Sequence, residues 1–345
     1  MNIDSAFDPL FESRKRDHIR LALKDSSQAK GLTGLDQVRL KHEALPDLDF
    51  VEVTLESIVL NQNVQVPMYV NSMTAGHEQG DTLNHVIASA CARQGWLMGV
   101  GSQRRQIFDP EATRTMRALK TRNPKTKFLG NLGISQLIEQ GSDTVKKLIE
   151  SIDAVGMIIH LNPLQECLQV EGTANFKGGL KAIQKLCRDV SVPVVVKETG
   201  CGFSKETVER LSDSGILALD VSGLGGTHWG RIEGARAQID SHQARASVTL
   251  QNWGLGTVES LLSALETKPP FSVWASGGVR SGLDVAKLLS LGAKAVGLAQ
   301  PIMAQATLGE EHLVKYMEQI EFELKTILFC TGSRRALDLQ GKWTI

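Results

Sequence analysis

Residues 275–301 read ASGGVRSGLDVAKLLSLGAKAVGLAQP. A short apolar run ends in Gly277-Gly278, a helical pattern opens near Ser281, and a second apolar run closes at Ala299. Strand, turn, helix, strand is the repeating unit of a parallel α/β sheet. Glycines let backbone N–H groups approach an anion, a helix N-terminus adds a favourable dipole, and Arg280 adds charge. The same stretch therefore reads both as a fold unit and as a phosphate site.

The unit recurs toward the N-terminus. Eight apolar runs stand at 66–71, 96–100, 127–131, 154–160, 193–198, 216–222, 272–276 and 295–299. They are apolar on both faces, as strands buried in a parallel sheet are. Helical patterns fall between most of them, at 80–94, 112–122, 135–150, 177–188, 204–213, 257–267 and 281–291, and 309–330 closes the series. Eight βα units predict an α/β protein with a (β/α)8 TIM barrel. One spacing is abnormal. After the sixth run, segment 223–255 reads as a long loop with few helix signals until its end, the profile of a lid or of a variable surface loop. Residues 1–65 form an N-terminal extension, in which FVEVTLESIVL and VQV suggest a small sheet plugging the barrel bottom. Residues 66–330 make the barrel, 331–345 a tail, and 1–345 together a single domain.

Composition bounds the function. The 345 residues carry 38 Lys+Arg and 38 Asp+Glu, so no general basic field exists to hold nucleic acid. With 42% hydrophobic and 22% charged residues the chain is ordinary globular protein. Its 5 cysteines are scattered without a CxxC pair, which fits a reducing cytoplasm better than a disulfide scaffold or a zinc cluster. No apolar run reaches the length of a membrane span, and the N-terminal residues lack the apolar middle of a signal peptide. A cytoplasmic protein with neither membrane nor nucleic-acid partner is expected.

In a barrel of this kind the active site gathers at the C-terminal strand ends. Here the runs end in Asn71-Ser72-Met73-Thr74, Gly101-Ser102-Gln103-Arg104, Asn131, His160-Leu161-Asn162, Lys197-Glu198, Ser222-Gly223, Ser276-Gly277-Gly278 and Ala299-Gln300. One polar end is a cap; eight together predict a shared pocket. Lys197 closes a fully apolar strand. It either pairs with Glu198 or another carboxylate, or sets a cation beside an anionic cofactor ring or enolate. His160 and Asn162 can face one side of their strand, with Gln165 and Glu166 on the loop beyond Pro163. A lone carboxylate suits magnesium shared with a substrate phosphate better than an all-protein metal cage. The cluster Arg14-Lys15-Arg16-Asp17-His18-Ile19-Arg20 reads as a solvated helix or as a diphosphate clamp. No GxSxG elbow, HExxH or P-loop is present.

The set RKRDHI (14–19), NSMTAG (71–76), GSQR (101–104), GNLG (130–133), HLNPLQE (160–166), VKETGCG (196–202), VSGLGGTHW (221–229) and ASGGVRSGLDVAK (275–287) resembles the type 2, FMN-dependent isopentenyl-diphosphate isomerases. The matches run in family order from residue 14 to about 301. HLNPLQE with RKRDHI is specific; SGGVRSG is shared across FMN barrels. The resemblance implies FMN, Mg2+ and NADPH as reductant of the flavin. It implies interconversion of isopentenyl and dimethylallyl diphosphate by proton addition and abstraction, without net redox change, in isoprenoid biosynthesis. Carried over by position, Ser72, Met73, Thr74, Ser102 and Asn131 line the flavin, and Lys197 sits near its N1/O2 end. Ser222 and Thr227 contact FMN, and Gly277, Gly278, Arg280, Ala299 and Gln300 hold its phosphate. Arg14, Lys15 and His18 bind the substrate diphosphate with Arg104, His160 and Asn162. Gln165 contacts substrate, Glu166 holds Mg2+, and both are candidates for proton exchange. Trp229 either shields the site from water or simply packs under the long loop. A homo-oligomer, tetramer or octamer, is implied too. Ala75 and His228 depart from the family pattern; His228 is expected to approach the flavin or face solvent. The rival reading is an FMN-dependent 2-hydroxy acid oxidase or dehydrogenase, which needs a histidine base and substrate-carboxylate arginines around an HGGR-type loop; SGLGGTHW has no Arg directly after its glycines.

Overall fold

A computed structural model describes residues 9–73 and 78–344, without the side chains of 9–15, 78 and 79. Eight parallel strands close into a barrel: Met68–Val70, Leu97–Gly99, Phe128–Gly133, Gly156–Leu161, Val194–Glu198, Ala218–Asp220, Ser272–Ser276 and Val296–Leu298. Each pairs with its sequence neighbours, and the eighth returns to the first through Val296↔Met68 and Leu298↔Val70. All eight lie inside the apolar runs read from the sequence or within two residues of them. The reason is physical: strands buried on both faces must be continuously apolar.

The barrel bottom is plugged as expected, by less chain than expected. Ser57–Val59 and Gln62–Val64 form an antiparallel hairpin, whereas Phe50–Glu52 is a 3-10 turn. The hairpin turn places Leu60 and Asn61 at φ 52° and 58°, as a two-residue turn with left-handed central residues requires. A leucine there costs about 1–2 kcal/mol. Its side chain is nevertheless buried, packing with Tyr69, Leu129, Ile158, Val195 and Trp274 in the lower barrel. Gly156 leaves the room: a Cβ there would stand 3.0 Å from the Leu60 methyl.

The top departs from the sequence reading. Segment 223–255 is not a structureless loop; it carries helices Trp229–Arg236 and His242–Thr249. Their serine and histidine N-caps are formed: Ser241 accepts from Ala244 N, and His228 from Arg231 N. Gln165 and Glu166 stand on a short helix, Pro163–Leu168, and not on a loop; proline fits its first position because that N–H needs no helical partner. The N-terminal helix Pro9–Ala22 lies on Trp229–Arg236, where Leu21, Ala22, Ile232 and Trp229 form a separate apolar cluster. Among the described residues no helix is long and apolar enough to cross a membrane.

Candidate active site

The C-terminal strand ends surround one pocket of about 1600 Å3, open mouth included.

Its floor is a charge network on barrel strands. Lys197 and Asp220 are register partners on the fifth and sixth strands. Lys197 Nζ donates to Asp220 Oδ2 at 2.7 Å and to Ser276 Oγ at 3.1 Å. Ser276 Oγ donates to the same carboxylate at 2.8 Å, Tyr69 OH at 2.5 Å, and Ser222 N at 3.1 Å. Burial, reinforced by the Asp220 charge, pushes the Tyr69 phenol well above its ordinary range, so it stays a donor. Lys197 pairs with a carboxylate, the first of the two readings the sequence left open, and it also lines the pocket. Its partner is Asp220, which the sequence reading passed over, and not Glu198. The Glu198 carboxylate instead accepts backbone N–H groups of Thr199, Gly200 and Cys201. Burial pushes Glu198 up to about 7, against the pull of those three donors and of Lys197. In this way it pins the turn that brings Thr199 and Gly200 to the pocket wall.

One flank is built from the third and fourth strands. Gln103 Oε1 accepts from Asn131 N at 2.9 Å, and Asn131 Oδ1 meets His160 Nδ1 at 2.9 Å. An amide oxygen can only accept, so His160 carries its proton on Nδ1 toward Asn131. Asn162 Nδ2 donates to Gln165 Oε1 at 3.1 Å and to Glu166 Oε1 at 2.9 Å; Thr173 N donates to Glu166 Oε2 at 2.5 Å. Glu166 is the only carboxylate among the described residues lining the pocket. No cluster of three or more His, Cys, Asp or Glu suited to a metal ion occurs among the described residues.

The roof comes from the N-terminal helix and the 223–255 insertion. Glu233 is fully buried, receiving His18 Nε2 at 2.9 Å, Gln165 Nε2 at 3.0 Å and Arg236 at 2.5 Å. Burial alone would raise its carboxyl, but His18, Gln165 and Arg236 outweigh it and hold it at about 2. Glu233 was missed in the sequence because no strand end points to it; its one signal is the Glu233/Arg236 spacing on a helix. Trp229 lines the pocket and packs edge-on against His18, ring centroids 5.1 Å apart. His228 neither approaches the pocket nor faces solvent. It is 1% exposed, with Nδ1 accepting from Arg231 N and Nε2 against the Trp253 carbonyl. Burial lowers its pKa, consistent with a neutral helix cap. Gln28, also unforeseen, reaches Thr227 Oγ1 at 3.1 Å, and Ala29 N donates to Gly226 O at 2.8 Å.

The opposite end is a glycine cradle. Gly277 and Gly278 have φ 106° and 76°. A Cβ on Gly277 would fall 2.1 Å from the Gly223 carbonyl oxygen, and one on Gly226 2.6 Å from Gly278 N. Only glycine lets these two backbones stack so closely. Arg280 lies across them, donating to Gly278 O at 2.7 Å and Gly225 O at 3.3 Å. Ser281 caps the next helix at Asp284 N. Ser222, Thr227, Ala299 and Gln300 complete this end.

Between the ends, Asn71 Oδ1 and Ser72 Oγ are buried without a hydrogen-bond partner among the described residues. Leaving such a group unmade costs about 1–3 kcal/mol, which a bound ligand's polar edge recovers. Met73, Ser102 and Arg104 line the same stretch. Every site residue expected from the sequence whose side chain is described therefore lies on this one pocket. Thr74, Ala75 and the side chains of Arg14 and Lys15 lie outside the described residues.

The pattern of FMN-dependent dehydrogenases matches residues 161–344. The chain is 49% identical over 339 residues to an isopentenyl-diphosphate delta-isomerase of Bdellovibrio bacteriovorus, covering 97% of this chain and 98% of the relative. It is 47% identical over 332 residues to an isopentenyl-diphosphate delta-isomerase of Legionella pneumophila, covering 96% and 97%. Among solved structures, a flavocytochrome b2 mutant with pyruvate bound superposes with TM-score 0.70 at 20% identity, over 96% of this chain and 82% of that one, a likeness of fold alone.

Proposed function

We propose a division of labour within this pocket from one premise: the chain belongs to the isopentenyl-diphosphate delta-isomerases of the FMN-dependent dehydrogenase family, and it interconverts isopentenyl and dimethylallyl diphosphate. The reaction moves a proton onto one carbon of an unactivated alkene and off another, with positive charge on a tertiary carbon between. It needs an anchor for a diphosphate, an electron-rich surface beside the cation, a proton acceptor, and no water.

Gly277, Gly278, Arg280, Ala299 and Gln300 would hold the phosphate of FMN, and Ser222 and Thr227 would contact the cofactor. Ser72, Met73, Thr74, Ser102 and Asn131 would line its ring. The fit rests on the two unpartnered buried atoms, Asn71 Oδ1 and Ser72 Oγ, which a ring edge of N–H and C=O groups would satisfy. Reduced FMN, kept so by NADPH, supplies the electron-rich surface. Lys197 would set positive charge near the N1/O2 end of the ring. Arg14, Lys15, His18, Arg104, His160 and Asn162 bind the substrate diphosphate. Glu166 would hold Mg2+ against it, where the ion would neutralise phosphate charge. Gln165, oriented by Asn162 and Glu233, places an amide oxygen at the substrate for proton exchange, with Glu166 as the nearby carboxylate. Trp229 and Ala22 close the roof against water. The chain acts as one cytoplasmic, homo-oligomeric FMN barrel on a small diphosphate, within isoprenoid biosynthesis.

The observation that carries this division is the pocket's two polar ends, a glycine cradle with Arg280 opposite a cluster of His18, His160, Asn162, Gln165 and Glu166. A 2-hydroxy acid oxidoreductase would instead need a histidine base in the pocket after the glycine loop, and His228 is buried as a helix cap. The test is anaerobic incubation of FMN-loaded protein with Mg2+, NADPH and isopentenyl diphosphate. Dimethylallyl diphosphate is expected in large excess over NADPH consumed. Flavin bleaching by lactate with no isomerised product would overturn the reading.

A further inference from the structure

We propose that Asp220 is the positioning residue that keeps Lys197 charged and aimed at the cofactor ring, and that the Tyr69 hydroxyl on the same carboxylate tempers how strongly it does so. The inference rests on the placement of Lys197 beside the ring given above.

Lys197 is 5% exposed and Asp220 is 0% exposed. An ammonium so far from water loses its proton unless a counter-charge replaces the lost hydration. Glu198 is committed to backbone N–H groups. The carboxylate that answers Lys197 is Asp220, at 2.7 Å. Direction follows from the same bonds. An ammonium has three N–H groups; Asp220 and Ser276 take two, and the third is left for the pocket that Lys197 lines. Asp220, Ser276 and Tyr69 do not line the pocket themselves. Whatever they do to a ligand's ring they do chiefly through Lys197, and this makes them positioning groups and not catalytic residues. Tyr69 shares Oδ2 with Lys197. A phenol donating there withdraws charge that would otherwise screen the ammonium, so it leaves more of the positive field for the pocket.

The readout is the two-electron midpoint potential of bound FMN against pH, because a cation near the ring stabilises the negative charge that reduction adds. Lys197→Met is expected to lower the potential. Asp220→Asn is expected to introduce a new break between about pH 6 and 9, where an uncompensated buried lysine loses its charge, with the alkaline limb falling to the Lys197→Met value. Tyr69→Phe is expected to lower the potential by less, with no new break. In a Lys197→Met background Asp220→Asn should add no break, because no lysine remains to titrate. If Lys197→Met leaves the potential unchanged, the placement of Lys197 is wrong. If Lys197→Met lowers it but Asp220→Asn adds no break, or adds the same break without the lysine, Asp220 does not act through Lys197 and the proposal falls. Should Asp220→Asn fail to fold, Tyr69→Phe decides: a potential unmoved in the Lys197 background overturns the shared-carboxylate argument.

Discussion

Floor and roof of the pocket use the same device, a buried carboxylate that gathers donors, to different ends. Asp220 collects Lys197, Ser276, Tyr69 and the Ser222 amide, all on barrel strands or the turn leaving one. Glu233 collects His18, Gln165 and Arg236 from three separate segments. The floor carboxylate is set in a closed hydrogen-bonded cylinder and cannot lose its partners without breaking strands. The roof carboxylate joins the N-terminal helix, helix Pro163–Leu168 and helix Trp229–Arg236, none of them a barrel strand, so its charge pairing holds the roof closed.

The comparison can be broken in several ways. The largest expected effect is on stability. Asp220→Ala strands a buried ammonium and should cost about 3–5 kcal/mol of global unfolding free energy, measured by urea titration. Glu233→Ala should cost much less globally, because the roof detaches as a local unit, while exchange of amides in 16–23 and 229–236 speeds up. Equal global losses would erase the distinction between the two regions.

Next comes pH. The Glu233 carboxyl sits at about 2 when folded, below the ordinary value of 4.5. Its folded value is depressed, so its contribution is complete above pH 4.5 and is lost as pH falls toward 2. The contribution is on the order of 3 kcal/mol. Proteolytic access to the N-terminal helix should therefore rise across that window in wild type. In Glu233→Gln it should already be high at pH 6. Access that is flat with pH in wild type would remove Glu233 from the closure.

Smaller effects test the flank where floor and roof meet. Glu166→Gln should keep FMN bound and lose Mg2+-dependent turnover by more than the roughly 10–100-fold that removing an outer-shell metal partner costs, because Glu166 is the carboxylate that holds the ion. Loss of flavin would show that Glu166 belongs to the cofactor's side. The least effect is expected at the tip between the two roof helices, where residues 238–240 are exposed. Protease should cut there somewhat faster in apoprotein than in reduced, substrate-bound protein, and equal rates would mean that the insertion does not respond to ligand.

Legibility differed between the same two regions. The barrel was readable because buried parallel strands must be apolar throughout, and polar residues at their ends stand out. Asp220 was readable in principle, as a carboxylate inside ILALDVS one strand from Lys197, but it stands within the apolar run and not at its polar end, Ser222. The roof helices were not readable. Trp229–Arg236 contains Gly230 and Gly234, which disfavour a helix by about 1 kcal/mol each. Tertiary contact overrides them: a Cβ on Gly234 would meet Ser247 Oγ at 1.8 Å, and one on Gly230 would meet Leu164 at 3.0 Å.

By itself the sequence determined the βα period, hence the barrel, and the residue types at each strand end, hence the pool from which the pocket draws. Those are local properties, written in apolar runs and in what interrupts them. The tertiary structure alone decided which carboxylate answers which cation. Lys197 faces Asp220 and turns from adjacent Glu198 because neighbours along a strand point to opposite sides, while register partners across strands point together. His18 meets Glu233 only because the first described helix folds back onto helix Trp229–Arg236, in the insertion after the sixth strand. Such pairings depend on distances through space between residues far apart in the chain, and no local pattern encodes them.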